Sequence, residues 1–274
     1  VSFYSTERHP VYAIETLIVT GPDNLLEVTK EAVFPEVSVP NNEGHCFFHR
    51  PMERTAYCHG KLLLAEFQHQ MATHGDALMV IKPWIMLLQK QTLDAHHHPM
   101  AEIPGHYLDC IPRNLILGAK GELLVIDSEW VSEFPVPLAW VAIRGIVDCI
   151  SSCMIRGSWN GKSILDFIVR IFTDLDIDIA GIDWTTIDQM ENRFQNQIYG
   201  RPSQFSYAEV LKMNMSNKVL LFERNNYLEK ENRQLKSTAC WRFTKPLRLI
   251  SNPLRHLTKR IKIPASFINR SKRS

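Results

Sequence analysis

His106-Tyr-Leu-Asp109-Cys-Ile-Pro112-Arg113-Asn114, followed shortly by Leu123-Leu-Val-Ile126-Asp127-Ser-Glu129-Trp130, is the stretch on which the reading of this fold turns. It sets Asp109, Asn114 and Asp127 five and then thirteen residues apart. The apolar runs Leu115 to Leu117 and Leu123 to Ile126 flank a Gly118-Ala-Lys-Gly121 turn, which predicts two short strands, the second running straight into Asp127. One carboxylate can accept the proton of an attacking hydroxyl. An amide oxygen and a second carboxylate are hard ligands of the kind magnesium prefers beside phosphates. Taken singly, Asp109 and Asn114 are turn caps and Asp127 ends a strand. The joint spacing, Pro112 and the flanking strands set them apart.

Working outward, Val11 to Thr20 and Leu25 to Phe34 predict a β-hairpin about Gly21-Pro22-Asp23-Asn24. Along its second strand Leu26, Val28 and Lys30 share a face. Residues 35–50, rich in Pro, Asn and Gly, read as a loop, and Arg54 to Cys58 as a short strand. Helices follow over Lys61 to Thr73 and, capped by Asp76, to about Leu93, with Pro83 marking a kink. Leu138 to Phe172 reads as helices interrupted near Gly157 to Gly161. A last helix, capped by Thr185 or Thr186, runs to about Tyr199. His96-His97-His98 stand in a polar loop, where consecutive histidines cannot all face one ion. Asp174-Leu-Asp176-Ile-Asp178 reads as a helix-to-turn segment.

The chain has 274 residues, a formal charge of +2 and 45% hydrophobic residues, enough for one large domain or two smaller ones with a real core. Beginning at Val1 without methionine, it reads as a piece of a longer polypeptide. Its six cysteines form no CxxC pair and read as reduced thiols, which argues for a cytosolic setting. No secretory signal and no apolar run of membrane-spanning length is present. The cations are concentrated instead. Residues 241–274 hold ten lysines and arginines and no acid.

The set Asp109, Pro112, Asn114 and Asp127 resembles the catalytic loop and metal-binding strand end of protein kinases and of aminoglycoside and choline phosphotransferases. Arg113, just before the asparagine, resembles the tyrosine-kinase version of the loop. Ile126-Asp127-Ser-Glu129 resembles the Ile-Asp-Trp-Glu of small-molecule kinases. The resemblance implies ATP and Mg2+ as cofactors, Asp109 as base with Arg113 beside it, Asn114 and Asp127 as metal ligands, and Lys30, two residues after Val28, on the phosphates. It also implies that Arg54 to Gly60 forms the hinge and that Glu129 and Trp130 either support the site residues from behind or are structural. The chain departs from the pattern in lacking a glycine-rich phosphate loop. Tyr107 and Ile111 stand where kinases carry histidine and lysine. No acid is clearly placed to pair with Lys30; Glu36, Glu43 and Glu53 are the alternatives, and a lysine on an edge strand is commonly just solvated.

Further on, Leu221, Leu228 and Leu235 recur every seven residues, with Lys218, Asn225 and Asn232 three before them. The pattern suits a short parallel coiled coil, and hence an oligomer, or a single amphipathic helix. Ser237-Thr-Ala-Cys-Trp241-Arg242-Phe-Thr244-Lys-Pro246-Leu247-Arg248 resembles the tail of bacterial O-antigen and related surface-polysaccharide methyltransferases and glycosyltransferases. Some of these carry a kinase-like module, which Leu108 to Trp130 and Arg144-Gly145 also resemble. That resemblance implies a polysaccharide or lipid-linked glycan acceptor. In the tail, Trp241, Phe243, Leu247, Leu254 and Ile261 alternate with cations, a pattern for holding an anionic membrane surface or an assembly partner. No recognition module for nucleic acid accompanies it.

The expected fold is α+β: a kinase-like, two-lobed domain over 8–205 with a reduced small lobe, a helix or short coiled coil over 206–240, and a basic amphipathic tail over 241–274. The expected function is ATP-dependent phosphotransfer to a sugar hydroxyl, in the cytoplasm or on the inner membrane face. The competing expectation is a degenerate kinase-like scaffold or glycan-binding module serving a linked methyltransferase or glycosyltransferase.

Overall fold

Alternating β-branched and apolar residues build the hairpin expected near the start of the chain, as β2 (Ile14–Thr20) and β3 (Leu26–Ala32), with Thr16 opposite Lys30. The hairpin is shorter than expected, because Pro10–Tyr12 winds as a 3-10 turn. It gains β1 (Ser2–Ser5) on one side and β5 (Arg54–Ala56) on the other. The result is a four-stranded antiparallel sheet in the order β1-β2-β3-β5. The lysine strand is therefore internal to the sheet, not an edge. The segment 35–50, expected to be all loop, contains β4 (Phe47–His49).

The computed structural model of the chain describes residues 1–5, 8–21, 23–37, 46–50, 54–93, 98–153, 155, 157–200 and 206–215. The coiled coil, the basic tail, Glu43, Glu53, His96 and His97 lie outside the described residues.

After β5 the chain passes through β6 (Lys61–Leu62) into α1 (Leu63–His74), which ends on Gly75 in the left-handed conformation. Asp76 Oδ1 accepts from Leu78 N at the start of α2 (Leu78–Gln89), which contains Pro83. β7 (Glu102–Ile103) precedes the loop carrying Asp109. β8 (Leu115–Leu117) and β9 (Leu123–Val125) form the second expected hairpin and join β6 in a three-stranded sheet. β10 (Trp130–Ser132) returns to pair with β4, and β11 (Val136–Pro137) pairs with β7.

Helices close the domain. α3 (Leu138–Ser152) is buried along most of its length, as its near-continuous apolar sequence requires. α4 (Ile164–Thr173) starts at a Ser163–Asp166 capping box. α5 (Trp184–Tyr199) is capped by Asp183, not by Thr185 or Thr186: its carboxylate accepts from both threonine N–H groups. α6 (Tyr207–Val210) follows. The acidic run ends α4 and caps a turn. Asp174 binds Lys82 at 2.6 Å, and Asp178 accepts from Ala180 N.

The architecture is mixed α+β, as expected. Its core packs α1, α2, α3 and α5 around Phe67, Ile81, Trp84, Trp140 and Phe194, all fully buried. Each such side chain contributes roughly 1.5–3 kcal/mol by leaving water. Among the described residues no helix is long and apolar enough to cross a membrane.

Candidate active site

Asp109 lies in a loop with no ladder of its own, so its backbone must be tied down by other groups. Trp84 of α2 donates its indole N–H to Cys110 O at 2.7 Å, and Arg144 of α3 donates from Nη1 to Leu108 O at 2.8 Å. Gly145, next to Arg144, lets this happen. A Cβ there would stand 2.4 Å from Trp84 and 2.8 Å from Pro112. The loop thus rests on a helix face stripped of side chain.

Asn114 closes the loop. Its Nδ2 donates to Asp109 O at 2.9 Å, which fixes the amide so that Oδ1 is the atom offered to a cation. Its own backbone carbonyl accepts from Ile126 N at 3.0 Å, across the β8–β9 hairpin. That bond draws the neighbourhood of Asp127 onto the loop. The order asparagine, hairpin, aspartate in the sequence is therefore a spatial junction.

Lys30 reaches the same junction from β3. Its Nζ stands 2.5 Å from Asp127 Oδ1 and 2.7 Å from Glu129 Oε1, with the lysine side chain only 6% exposed. The alternative of a solvated edge-strand lysine does not hold: Lys30 is a buried cation, and its acids come from nearly a hundred residues away. Asp127 and Glu129 are two residues apart, the spacing at which alternate side chains share a side.

Of the two expectations for Glu129, the supporting one fits its contacts. Besides Lys30 it takes the guanidinium of Arg8, through Nη1 to Oε2, and His49 Nε2 stands 3.4 Å from the same oxygen. The β4–β10 pairing sets His49 opposite Trp130, the residue after Glu129, and Tyr12 packs edge-on against both rings. Arg113 turns the other way. It forms a two-pronged pair with Asp148 of α3, with Nε donating to Oδ2 at 2.8 Å, and it is half exposed.

The carboxylates are tuned in different directions. Burial pushes Glu129 up, but the hydrogen bond from His49 and the charges of Arg8 and Lys30 outweigh it and hold the acid well below its usual range. Burial raises Asp127 to about 6, helped by the charge of Glu129 and opposed by Lys30. Burial also raises Asp109, with Arg144, 3.4 Å away, opposing it. For Lys30, burial lowers the pKa, but its two carboxylates outweigh that and raise it. At neutral pH Lys30 is a cation and Glu129 an anion, while Asp127 and Asp109 take up a proton more readily than usual.

Lys30, Asp109, Asn114 and Asp127 thus share one neighbourhood, while Arg113, close enough for its charge to interact with Asp109, commits its guanidinium to Asp148 of α3. Glu129 was legible in the Asp-x-Glu spacing but not in its role. Arg8 and His49 left no signal, because their partner lies 121 and 80 residues away. Among the described residues no group of three or more His, Cys, Asp or Glu could hold a metal by itself. A magnesium ion that arrives with phosphates asks for less, one or two protein oxygens, and Asn114 and Asp127 are the residues that could supply them. Comparisons with protein-family models, with curated proteins and with solved structures give no match to the chain.

Proposed function

We propose that the chain is a kinase-like phosphotransferase that moves the terminal phosphoryl group of ATP to a hydroxyl, with a sugar of a surface polysaccharide as acceptor. The observation that carries the reading is the contact of Lys30 with Asp127 beside an asparagine amide hydrogen-bonded to the backbone of Asp109. The sheet bearing Lys30 would be the small lobe, the helices from α1 onward the large one, and residues 57–60 the hinge. The acceptor class rests on the resemblances of Ser237 to Arg248 and of Leu108 to Trp130 with Arg144-Gly145, the oligomer on the leucine heptads, and the membrane or assembly contact on the cations and apolar residues of 241–274.

Each residue then has a task its surroundings suit. Asp109, raised by burial, takes the proton of the attacking hydroxyl, for which a pKa moved toward neutrality is an advantage. Arg144 holds the loop of Asp109 and stabilises its charged form. Asn114 Oδ1 and Asp127 would hold the metal, which when bound neutralises phosphate charge. Lys30 is paired with Glu129 as well as Asp127, so its ammonium would stay anchored beside phosphate oxygens where Asp127 serves the metal. Glu129 supplies the acid that the sequence did not reveal for the lysine.

A thermal-shift titration with Mg-ATP tests the proposal. Wild-type protein should be stabilised, Asp127→Ala should lose the shift, and Asp109→Asn should keep binding while abolishing phosphoryl transfer. Absence of any shift in the wild type would sink the enzyme and leave the scaffold.

A further inference from the structure

The segment joining β1 to β2 lies at the end of the sheet where Lys30 sits. Ser5 pairs with Ile14, Ile14 with Ala32, and Lys30 with Thr16. A loop there is the part of the sheet that can cover phosphates gripped by Lys30, whereas the Gly21 turn is at the opposite end. Protein loops commonly hold phosphates with a concave run of backbone N–H groups. This segment is poorly suited to that. It contains no glycine, and Pro10 has no N–H. Four of its described amides are engaged: His9 N donates to Ile198 O at 2.7 Å, Val11 N to its neighbour His9 Nδ1 at 3.4 Å, Tyr12 N to His9 O at 2.8 Å, and Ala13 N to Pro10 O at 3.2 Å.

What the segment offers is a side chain. Arg8 is 23% exposed and binds Glu129 Oε2, the carboxylate whose other oxygen holds Lys30. One buried glutamate therefore sets two permanent cations side by side. A guanidinium has five N–H donors in a fork that matches phosphate, so pairing through Nη1 does not exhaust it. Its charge is also felt at Asp109. We propose that Arg8 is a second phosphate-binding residue, which with Lys30 forms a two-cation clamp on the triphosphate of a nucleotide in place of a glycine-rich backbone loop. The inference rests on the phosphotransfer reading and adds to it how the chain grips phosphate. Glu129 organises the clamp without touching the ligand, and the Tyr12–His49–Trp130 ring stack holds the segment in place.

Calorimetric titration of the full chain with Mg-ATP, magnesium tripolyphosphate and adenosine tests it. Arg8→Gln should weaken both polyphosphate ligands roughly ten- to hundred-fold, the effect of losing a charge-assisted contact, and leave adenosine unchanged. Arg8→Lys, which keeps the pair with Glu129 but not the fork, should fall between. Unchanged Mg-ATP affinity in Arg8→Gln refutes the clamp and leaves phosphotransfer standing. Parallel weakening of adenosine and ATP assigns Arg8 a merely structural role and also refutes it. Failure of the wild type to bind Mg-ATP overturns both readings.

Discussion

Asp127 and Glu129 share a lysine partner, yet neutralising them should have opposite effects on stability. Glu129 is 3% exposed and holds three groups, and its pKa is depressed. Its ionised form stabilises the fold above its ordinary value of 4.5, and that contribution is lost as pH falls. Glu129→Gln leaves Lys30 and Arg8 without their shared anion. Breaking a buried pair costs about 3–5 kcal/mol, and the lower end applies here because Asp127 is at the same time relieved of a like charge. For a domain of this size that is a fall in melting temperature of roughly 6–12 °C. Asp127 is moved the other way, from 3.8 to about 6. Below pH 3.8 the folded and unfolded chains both hold its proton. Between 3.8 and about 6 only the folded chain does, so stability declines as pH rises through that window and stays lower above it. The shift corresponds to roughly 3 kcal/mol at neutral pH. Solvent screening of a side chain about one-third exposed reduces it to about 1–2 kcal/mol. Asp127→Asn imitates the protonated state, so at pH 7 it should match or exceed the wild type by up to that amount and converge with it near pH 4. Urea denaturation of both variants at pH 4, 5.5 and 7 gives the answer. Equal losses at pH 7, or a pH-independent offset for Asp127→Asn, would refute this account of the ion cluster.

Gly145→Ala should destabilise by about 1–3 kcal/mol in denaturant titration, because the new methyl overlaps Trp84 and Pro112 under the Asp109 loop. Asn114→Ala should cost about 0.5–1.5 kcal/mol, since it removes the side-chain donor to the buried Asp109 carbonyl, which keeps Ile111 N at 2.9 Å; Asn114→Asp keeps an oxygen but not the donor and should recover little of it. Arg113→Ala, by contrast, should lie within about 1 kcal/mol of wild type by the same measurement, because its pair with Asp148 is half exposed.

Local pattern was a good guide wherever an element's character is decided by its own residues. The β2–β3 hairpin, the β8–β9 hairpin, α1 to α5 and the break near Gly157 all follow from alternation, helical spacing and turn residues. Their ends were less legible, as the Asp183 cap and the 3-10 turn at Pro10 show, because capping depends on which oxygen reaches an amide. β4 and β10 were missed altogether. Each is three residues long, and the ladder between them joins segments some eighty residues apart. The grouping of Asp109, Asn114 and Asp127 was readable because a loop and a hairpin bring them together over a short span.

Sequence alone determined the α+β class, the two hairpins and the three oxygen-bearing side chains of the loop and strand end. Those depend on neighbours a few residues away. Only the tertiary structure decided that Lys30 is buried, that Glu129 gathers it with Arg8 and His49, and that Arg113 faces α3. Charges pair through space, and a buried ion selects its partner by proximity in the folded chain, whatever their separation along the sequence.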